Sequence, residues 1–561
     1  MATIDEINSM EPAPQRQESP AGDEGPDGAG RASLWCWLAL ALVIVCAAII
    51  RSRLAAVPLE RDEGEYAYIA QQMLKGVPPY ISAYSMKLPG IYAVYALILA
   101  VFGQTDVAIH LGLTIVNAAT IFVVFLLAKR LFGGLAGVAA ACAYAVMSLP
   151  RPVLGLSANA EHFVILPALV GILLIHGVAD SRRYGRLLTA GLLMGLAFVI
   201  KQHGIFFAVF GAIYLLYCDL RHRPIQRKIC IISQIVFAVG VIVPFAVTCL
   251  LFLQAGVFEK FWFWTFAYAH KYATTIPLSF AAGIFAQHFT PVVVSAVLIW
   301  LFVLPGLLMV LFRSCMRLHA PFTLGFLVFS FLSVCPGFYF RQHYFILLLP
   351  VAAVLAGVGF VGFNNLLVGR GSGFQQALVT VLAGMAIVGF SLFQQRLCLF
   401  QLTPADVSRF WYGGNPFPES PRVAEFIRAN CAATDTVAVI GSEPQIYFYS
   451  GRRAATHYIY MYPLVETHDY AATMQKEMIA EIESAKPELM VFVNVSTSWL
   501  TKPGSEQLIL EWFDSYSPKF YDLVGIVDIF PTGRTVYRWN EQVAGYIPRS
   551  NCWLTVYKRK H

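Results

Sequence analysis

The sequence predicts a polytopic α-helical membrane protein with a C-terminal extracytoplasmic α/β domain, and three observations predict it. Only 13% of the 561 residues are charged, where soluble domains carry roughly 25%, and the mean hydropathy is +0.63. Apolar runs recur through the first 400 residues, many near the length of about 20 residues that a membrane-spanning helix needs. Beyond residue 403 the runs shorten, and strand-like and helix-like patterns alternate as they do in an α/β domain.

Residues 1–33 are rich in Pro, Gly and acids and lack a cationic start, so they read as a disordered cytoplasmic tail. Residues 34–400 then form a transmembrane domain. Its apolar segments fall near 34–50, 106–128, 135–150, 162–179, 187–200, 204–218, 229–253, 290–312, 321–337, 344–363 and 377–395, about eleven spans. With the N-terminus cytoplasmic, the basic turns at Lys129-Arg130, Arg182-Arg183-Arg186, Arg221-Arg223-Arg227-Lys228, Arg313-Arg317 and Arg370 lie inside, as the positive-inside rule expects. An odd number of spans leaves 403–561 outside. The outer side nevertheless holds a basic cluster within residues 51–87, which points to a role for those cations beyond topology.

Within 403–561, Ser420-Pro421 starts a helix through Ile427. Strands are expected at 436–440, 488–495, 520–530 and 534–539, with helices at 470–485 and 505–516, giving a partly parallel sheet. The turn at 441–447 reads as a surface loop or as an overhang on a site. Eleven cysteines show no CxxC or Cys/His metal spacing; Cys431 and Cys552 are the two that an oxidising compartment would allow to pair. A net charge of +7 without a basic run interleaved with aromatics excludes a nucleic-acid groove.

The outer loop 51–105 carries the densest charge. Tyr66, Ile69, Ala70, Met73 and Leu74 line one face of a short amphipathic helix, expected to lie along the membrane surface. Asp62, with Glu65 three residues on, reads as its capping box. That reading leaves Arg61 and Glu63 unexplained, so the segment is a helix start, a chemical site, or both. Lys87-Leu88-Pro89-Gly90 opens a second surface helix through Phe102. Lys87 either snorkels or, beside Asp62 and Glu63, binds phosphate.

By the span count, Glu161, Lys201-Gln202-His203 and Arg341-Gln342-His343 come to the same side of the membrane. Each alone passes for a cap or an ordinary turn. Ionisable groups at membrane depth are functional candidates, however, and here acids and cations gather on one face. The acids suit a general base or a metal ligand, and the cations suit neutralisation of a phosphate. The loop at 254–289, with Glu259, Lys260, His270, Lys271 and His288 among aromatics, suits an interfacial belt or a lipid groove.

Asp62-Glu63-Gly64-Glu65-Tyr66, Gly76, Lys87-Leu88-Pro89-Gly90, Lys129-Arg-Leu-Phe-Gly133, Ala160-Glu161 and Arg341-Gln-His-Tyr344 with Pro350 follow one another in an order that resembles a known family. It is the GT-C superfamily of membrane glycosyltransferases, in the branch of protein O-mannosyltransferases and aminoarabinose transferase (glycosyltransferase family 39-like). The match covers most of residues 58–363; Glu161 stands where the family commonly has Asp, and Lys-Leu-Pro-Gly replaces Lys-Pro-Pro. The resemblance implies a GT-C fold in the cytoplasmic (inner) membrane and a polyprenyl-phosphate sugar as donor. The acceptor, a lipid, glycan or protein, stays open. It further implies Asp62 as catalytic base, with Glu63 and Glu161 orienting the acceptor or a divalent metal ion. Arg61, Lys87, Lys201 and Arg341 would bind the donor phosphate, supported by His203 and His343. A transporter or flippase of lipid-linked sugars is the alternative; it would place its ionisable groups at mid-membrane and show repeats, whereas here they sit at span ends and no repeat is visible.

Overall fold

The computed structural model describes residues 26–176, 183–221, 225–368 and 373–560. Eight helices among them are long and apolar enough to cross a membrane, and five further apolar helices run 10–17 residues. Over their described residues, ten of the eleven apolar runs each fall largely on one of these helices, and the run at 290–312 takes in the end of Leu278–Ser295 and all of Val297–Phe312. The first begins at Pro26, not at 34; residues 1–25 of the expected tail, with Arg182, Arg223 and Arg370, lie outside the described residues.

The bundle is built by small residues. Gly191 on the Arg183–Ile200 helix meets Gly240 on Arg227–Gln254, and one turn on Gly195 meets the Pro244 ring. Gly357 on Leu349–Val368 likewise seats against Ala136 and Ala140 of Gly134–Met147. Between apolar helices in lipid there is little hydrophobic drive, so close backbone approach of this kind supplies the packing contact.

The expected loop at 254–289 is largely helical. Phe258–Trp262 continues through Phe263–Tyr268 into Ala269–Ala273, and Leu278–Ser295 follows as a membrane-length helix. Gln287-His288 and Thr290-Pro291 break its apolar pattern, and its mean hydropathy of 1.3 is the lowest of the eight.

The α/β domain holds a six-stranded sheet of order β2-β1-β3-β6-β4-β5. Its strands are β1 Thr436–Ile440, β2 Arg453–Ala454, β3 Leu489–Asn494, β4 Tyr521–Asp528, β5 Val536–Trp539 and β6 Trp553–Arg559. β1 runs parallel to β2 and β3, with Val437 opposite Leu489. β6 runs antiparallel to both β3 and β4, Met490 facing Tyr557 and Asp528 facing Trp553. The expected strands are present, and the sheet is partly parallel. The unexpected strand is β6, the last in the chain and central in the sheet. Cys431 and Cys552 are both free thiols.

The helix Arg61–Leu74 departs most from its sequence reading. It does not lie on a membrane surface: Tyr66, Ile69 and Ala70 are buried, and the helix packs between Gly90–Phe102 and the segment Gln445–Ser450 of the α/β domain. A Cβ on Gly64 would stand 2.5 Å from the Gln445 nitrogen and 2.8 Å from its Cα, so only glycine lets the two backbones touch. The 441–447 turn is accordingly interior, with Ser442, Glu443 and Gln445 fully buried. The capping box also shifts. Glu60 is the N-cap, its carboxylate accepting from Asp62 N at 3.1 Å and Glu63 N at 3.3 Å, and Glu63 returns the bond by accepting from Glu60 N at 3.1 Å. Asp62 and Glu65 do not form the expected box, and both line a cavity.

Candidate active site

A cavity of about 620 Å³ opens where the helix bundle meets the α/β domain. Four chain segments deliver the charges that the sequence singles out. Arg61, Asp62 and Glu65 come from the start of the Arg61–Leu74 helix, and Lys87 from the loop before Gly90. Lys201 and His203 come from the break between two apolar helices, and Arg341 and His343 from the stretch before Leu349–Val368. Sequence pattern explains how they meet. Gly90 lies so close to the end of the Arg183–Ile200 helix that a Cβ would sit 2.6 Å from Val199 O, which brings the Lys87 loop beside Lys201. Lys87 is fixed by its backbone: its N–H donates to Ser85 Oγ at 3.2 Å and its carbonyl accepts from the Tyr80 hydroxyl at 2.7 Å. Before Arg341, Gly337, Phe338 and Phe340 take φ of 70°, 54° and 44°. Such left-handed conformations cost energy in phenylalanine and cluster at functional sites.

Asp62 and Lys87 face each other, Nζ 3.3 Å from Oδ2, and Lys87 also donates to the Tyr66 hydroxyl at 3.1 Å. Burial opposes ionisation of Asp62, but Lys87, then His343 and Lys201, outweigh it and hold the carboxyl well below its usual value. Lys87 is correspondingly raised by Asp62 and Glu65 against the opposing effect of burial. Lys201 pairs with Glu161 and lies 4.5 Å from the centre of the Tyr344 ring; burial pulls its pKa down although Glu161 pulls it up. His343, lowered to about 4 chiefly by burial, is neutral at pH 7. Arg341 lies 5.2 Å from the Tyr339 ring centre and, among the described residues, makes no ion pair with an acid.

The two remaining acids do not line the cavity. Glu161, fully buried, reaches Lys201 from behind and stands 3.9 Å from His343 Nε2. Glu63 accepts from Ala158 N at 2.6 Å and pairs with His110 Nε2 at 2.9 Å, in addition to Glu60 N. Its carboxylate is therefore saturated by the scaffold. Arg61 is occupied as well: it meets Glu443 at 2.6 Å, and donates to Ser442 O at 2.5 Å, Asn415 Oδ1 at 3.0 Å and the Tyr462 hydroxyl at 3.1 Å. Among the described residues, no three His, Cys, Asp or Glu side chains converge as ligands, and Asp62 faces the Lys87 ammonium.

Sequence reasoning missed Tyr460, whose hydroxyl donates to Asp62 Oδ1 at 3.2 Å, and assigned Glu65 to capping. Glu65 is instead a buried wall of the cavity, its pKa raised to about 7 by burial and by Asp62, against the pull of Lys87. Between the ordinary value of 4.5 and about 7 the folded chain holds a proton there that the unfolded chain releases. The stabilisation from this group is therefore present at low pH and lost as pH rises through 7. Glu65→Gln is expected to remove this decline, on the order of 1–3 kcal/mol, in melts of the solubilised protein across that window. An identical decline in the variant would assign it to another group.

Residues 86–248, which include Lys87, Glu161 and Lys201, match the family model described as dolichyl-phosphate-mannose-protein mannosyltransferase. No curated protein matches the chain. Among solved structures, ArnT from Cupriavidus metallidurans bound to undecaprenyl phosphate superposes with a TM-score of 0.56 and 15% identity, over 93% of this chain and 98% of that one. The chain has the GT-C fold. The archaeal oligosaccharyltransferase AglB from Archaeoglobus fulgidus, in complex with an inhibitory peptide and a dolichol-phosphate, shares this GT-C fold. It superposes with a TM-score of 0.50 and 14% identity, over 91% of this chain and 75% of the other. Within the GT-C fold of this chain, the helix bundle supplies the cations of the cavity and the α/β domain closes one of its walls.

Proposed function

We propose that the protein is a membrane glycosyltransferase, moving a sugar from a polyprenyl-phosphate donor to an acceptor hydroxyl on the outer face of the cytoplasmic membrane. The observation that carries this reading is the single cavity in which Asp62 faces Lys87, with Lys201 and Arg341 on the same walls. Undecaprenyl phosphate bound to ArnT and dolichol-phosphate bound to AglB support a lipid phosphate as the ligand.

In this mechanism Asp62 takes the proton of the acceptor hydroxyl as its oxygen attacks the anomeric carbon. The carbon–oxygen bond to phosphate breaks, and the lipid phosphate leaves with the electron pair. Lys87, Lys201 and Arg341 stabilise the charge that grows on it. A carboxylate held far below its usual pKa is a weak base, and donor binding corrects this. Once Lys87 is shared with the donor phosphate, it neutralises Asp62 less, and the proton affinity of Asp62 rises toward what a general base needs. Glu63 and Glu161 act from behind, Glu63 by fixing the helix that carries Asp62 and Glu161 by holding Lys201. The α/β domain wall offers Tyr460, Tyr462 and Glu466 toward the acceptor side.

The test is incubation of the reconstituted protein with radiolabelled undecaprenyl-phosphate hexoses and pentoses in the presence of membrane extracts as acceptor. Label moved from lipid to acceptor is expected for one donor class. Label carried across the bilayer with no transfer would overturn the reading in favour of a flippase.

A further inference from the structure

Of the side chains that the α/β domain sends into the cavity, Tyr460 touches Asp62. The Tyr460 hydroxyl bonds Asp62 Oδ1 at 3.2 Å while Lys87 holds Oδ2 at 3.3 Å. Each oxygen of the carboxylate is therefore gripped from a different part of the molecule.

The segment that presents Tyr460 is itself pinned. Met461 N donates to Ser442 Oγ at 2.8 Å, Tyr84 N to His457 O at 2.8 Å, and the Tyr462 hydroxyl to Thr497 O at 2.6 Å. Ile459 and Met461 on either side are fully buried, and the Tyr460 ring packs edge-on against Tyr462 with centroids 4.8 Å apart. Burial, and then the charge of Asp62, push the Tyr460 hydroxyl up, so it stays protonated and remains a donor.

An aspartate carboxylate turns easily about its last bond, where the torsion is broad. One bond to Lys87 leaves that rotation open, whereas bonds to both oxygens close it. We infer that Tyr460 is a positioning residue of the α/β domain, fixing the plane of the Asp62 carboxylate toward the incoming acceptor hydroxyl. The inference rests on Asp62 being the base. It makes the α/β domain part of the catalytic apparatus and not merely a cover.

Tyr460→Phe in the full chain, reconstituted in membranes and assayed with the undecaprenyl-phosphate sugar that the wild type turns over, separates the possibilities. We expect kcat to fall roughly tenfold, the size of one hydrogen bond to a charged group. The KM for donor, the binding of undecaprenyl phosphate and the melting temperature are expected to stay as in the wild type. Tyr460→Leu, which also loses the ring, should be about as slow as the Phe variant. An unchanged kcat in Tyr460→Phe overturns the inference. So does a loss carried by donor KM, or a loss that appears only in Tyr460→Leu and therefore follows the ring. Asp62→Asn run alongside isolates the underlying reading: wild-type turnover there removes Asp62 as base. An inactive Asp62→Asn beside an unaffected Tyr460→Phe removes only the role given to Tyr460.

Discussion

Asp62→Asn is expected to lower sugar transfer by roughly 10²–10⁴-fold, the contribution of a positioned general base, while the chain still binds undecaprenyl phosphate. Asparagine keeps the shape of the side chain and can still accept from Tyr460, so the first turn of the Arg61–Leu74 helix has no reason to unfold. Its cap is Glu60, which the substitution leaves in place. Lys87, released from Asp62, is freer to meet a phosphate, so lipid binding should hold or tighten. Single-turnover transfer and a separate lipid-phosphate binding measurement distinguish the two effects. Turnover close to the wild type would remove Asp62 from the chemistry.

Glu443→Ala should be the most damaging single change to the assembly of the two parts. Glu443 is fully buried and meets the Arg61 guanidinium, itself 7% exposed, at 2.6 Å. Removing one partner of a buried pair leaves an uncompensated charge, at a cost of about 3–5 kcal/mol. We expect a lower melting temperature and faster limited proteolysis of the α/β domain, with transfer lost in parallel because the Arg61–Leu74 helix is no longer held. The double variant Arg61→Met/Glu443→Met, which leaves no lone charge, should recover much of the stability. If Glu443→Ala melts as the wild type does, the pair contributes nothing to the docking.

What the sequence discloses and what it hides differ for physical reasons. The apolar runs disclose the bundle because lipid demands unbroken apolar faces, and most of Leu278–Ser295 escapes because Gln287, His288, Thr290 and Pro291 interrupt its pattern. Lys201 and Arg341 stand out because a cation between apolar helices has few ordinary explanations. Asp62 and Glu63 stand out equally, yet pattern alone cannot apportion them: a box at Asp62 and Glu65 fits the same spacing rule as the actual one at Glu60 and Glu63. A one-turn amphipathic period likewise cannot say whether its apolar face meets lipid or another part of the same chain, and for Tyr66 to Ala70 it meets protein. Tyr460 left no local signal, and Glu443 only a turn at 441–447 that reads as a surface loop or as an overhang, since their meaning arises through residues near position 60.

That separation also has a consequence in time. The hydroxyl of Tyr460 lies 398 residues downstream of the carboxylate it meets. At a synthesis rate of roughly 5–20 residues per second, the ribosome delivers Asp62 on the order of 20–80 s before its partner exists. The helix that bears Asp62 must wait through the insertion of nearly the whole bundle with Arg61 and Gly64 unmatched. A nascent chain stopped before the 456–463 segment would hold every cation of the cavity and still have an unfinished one.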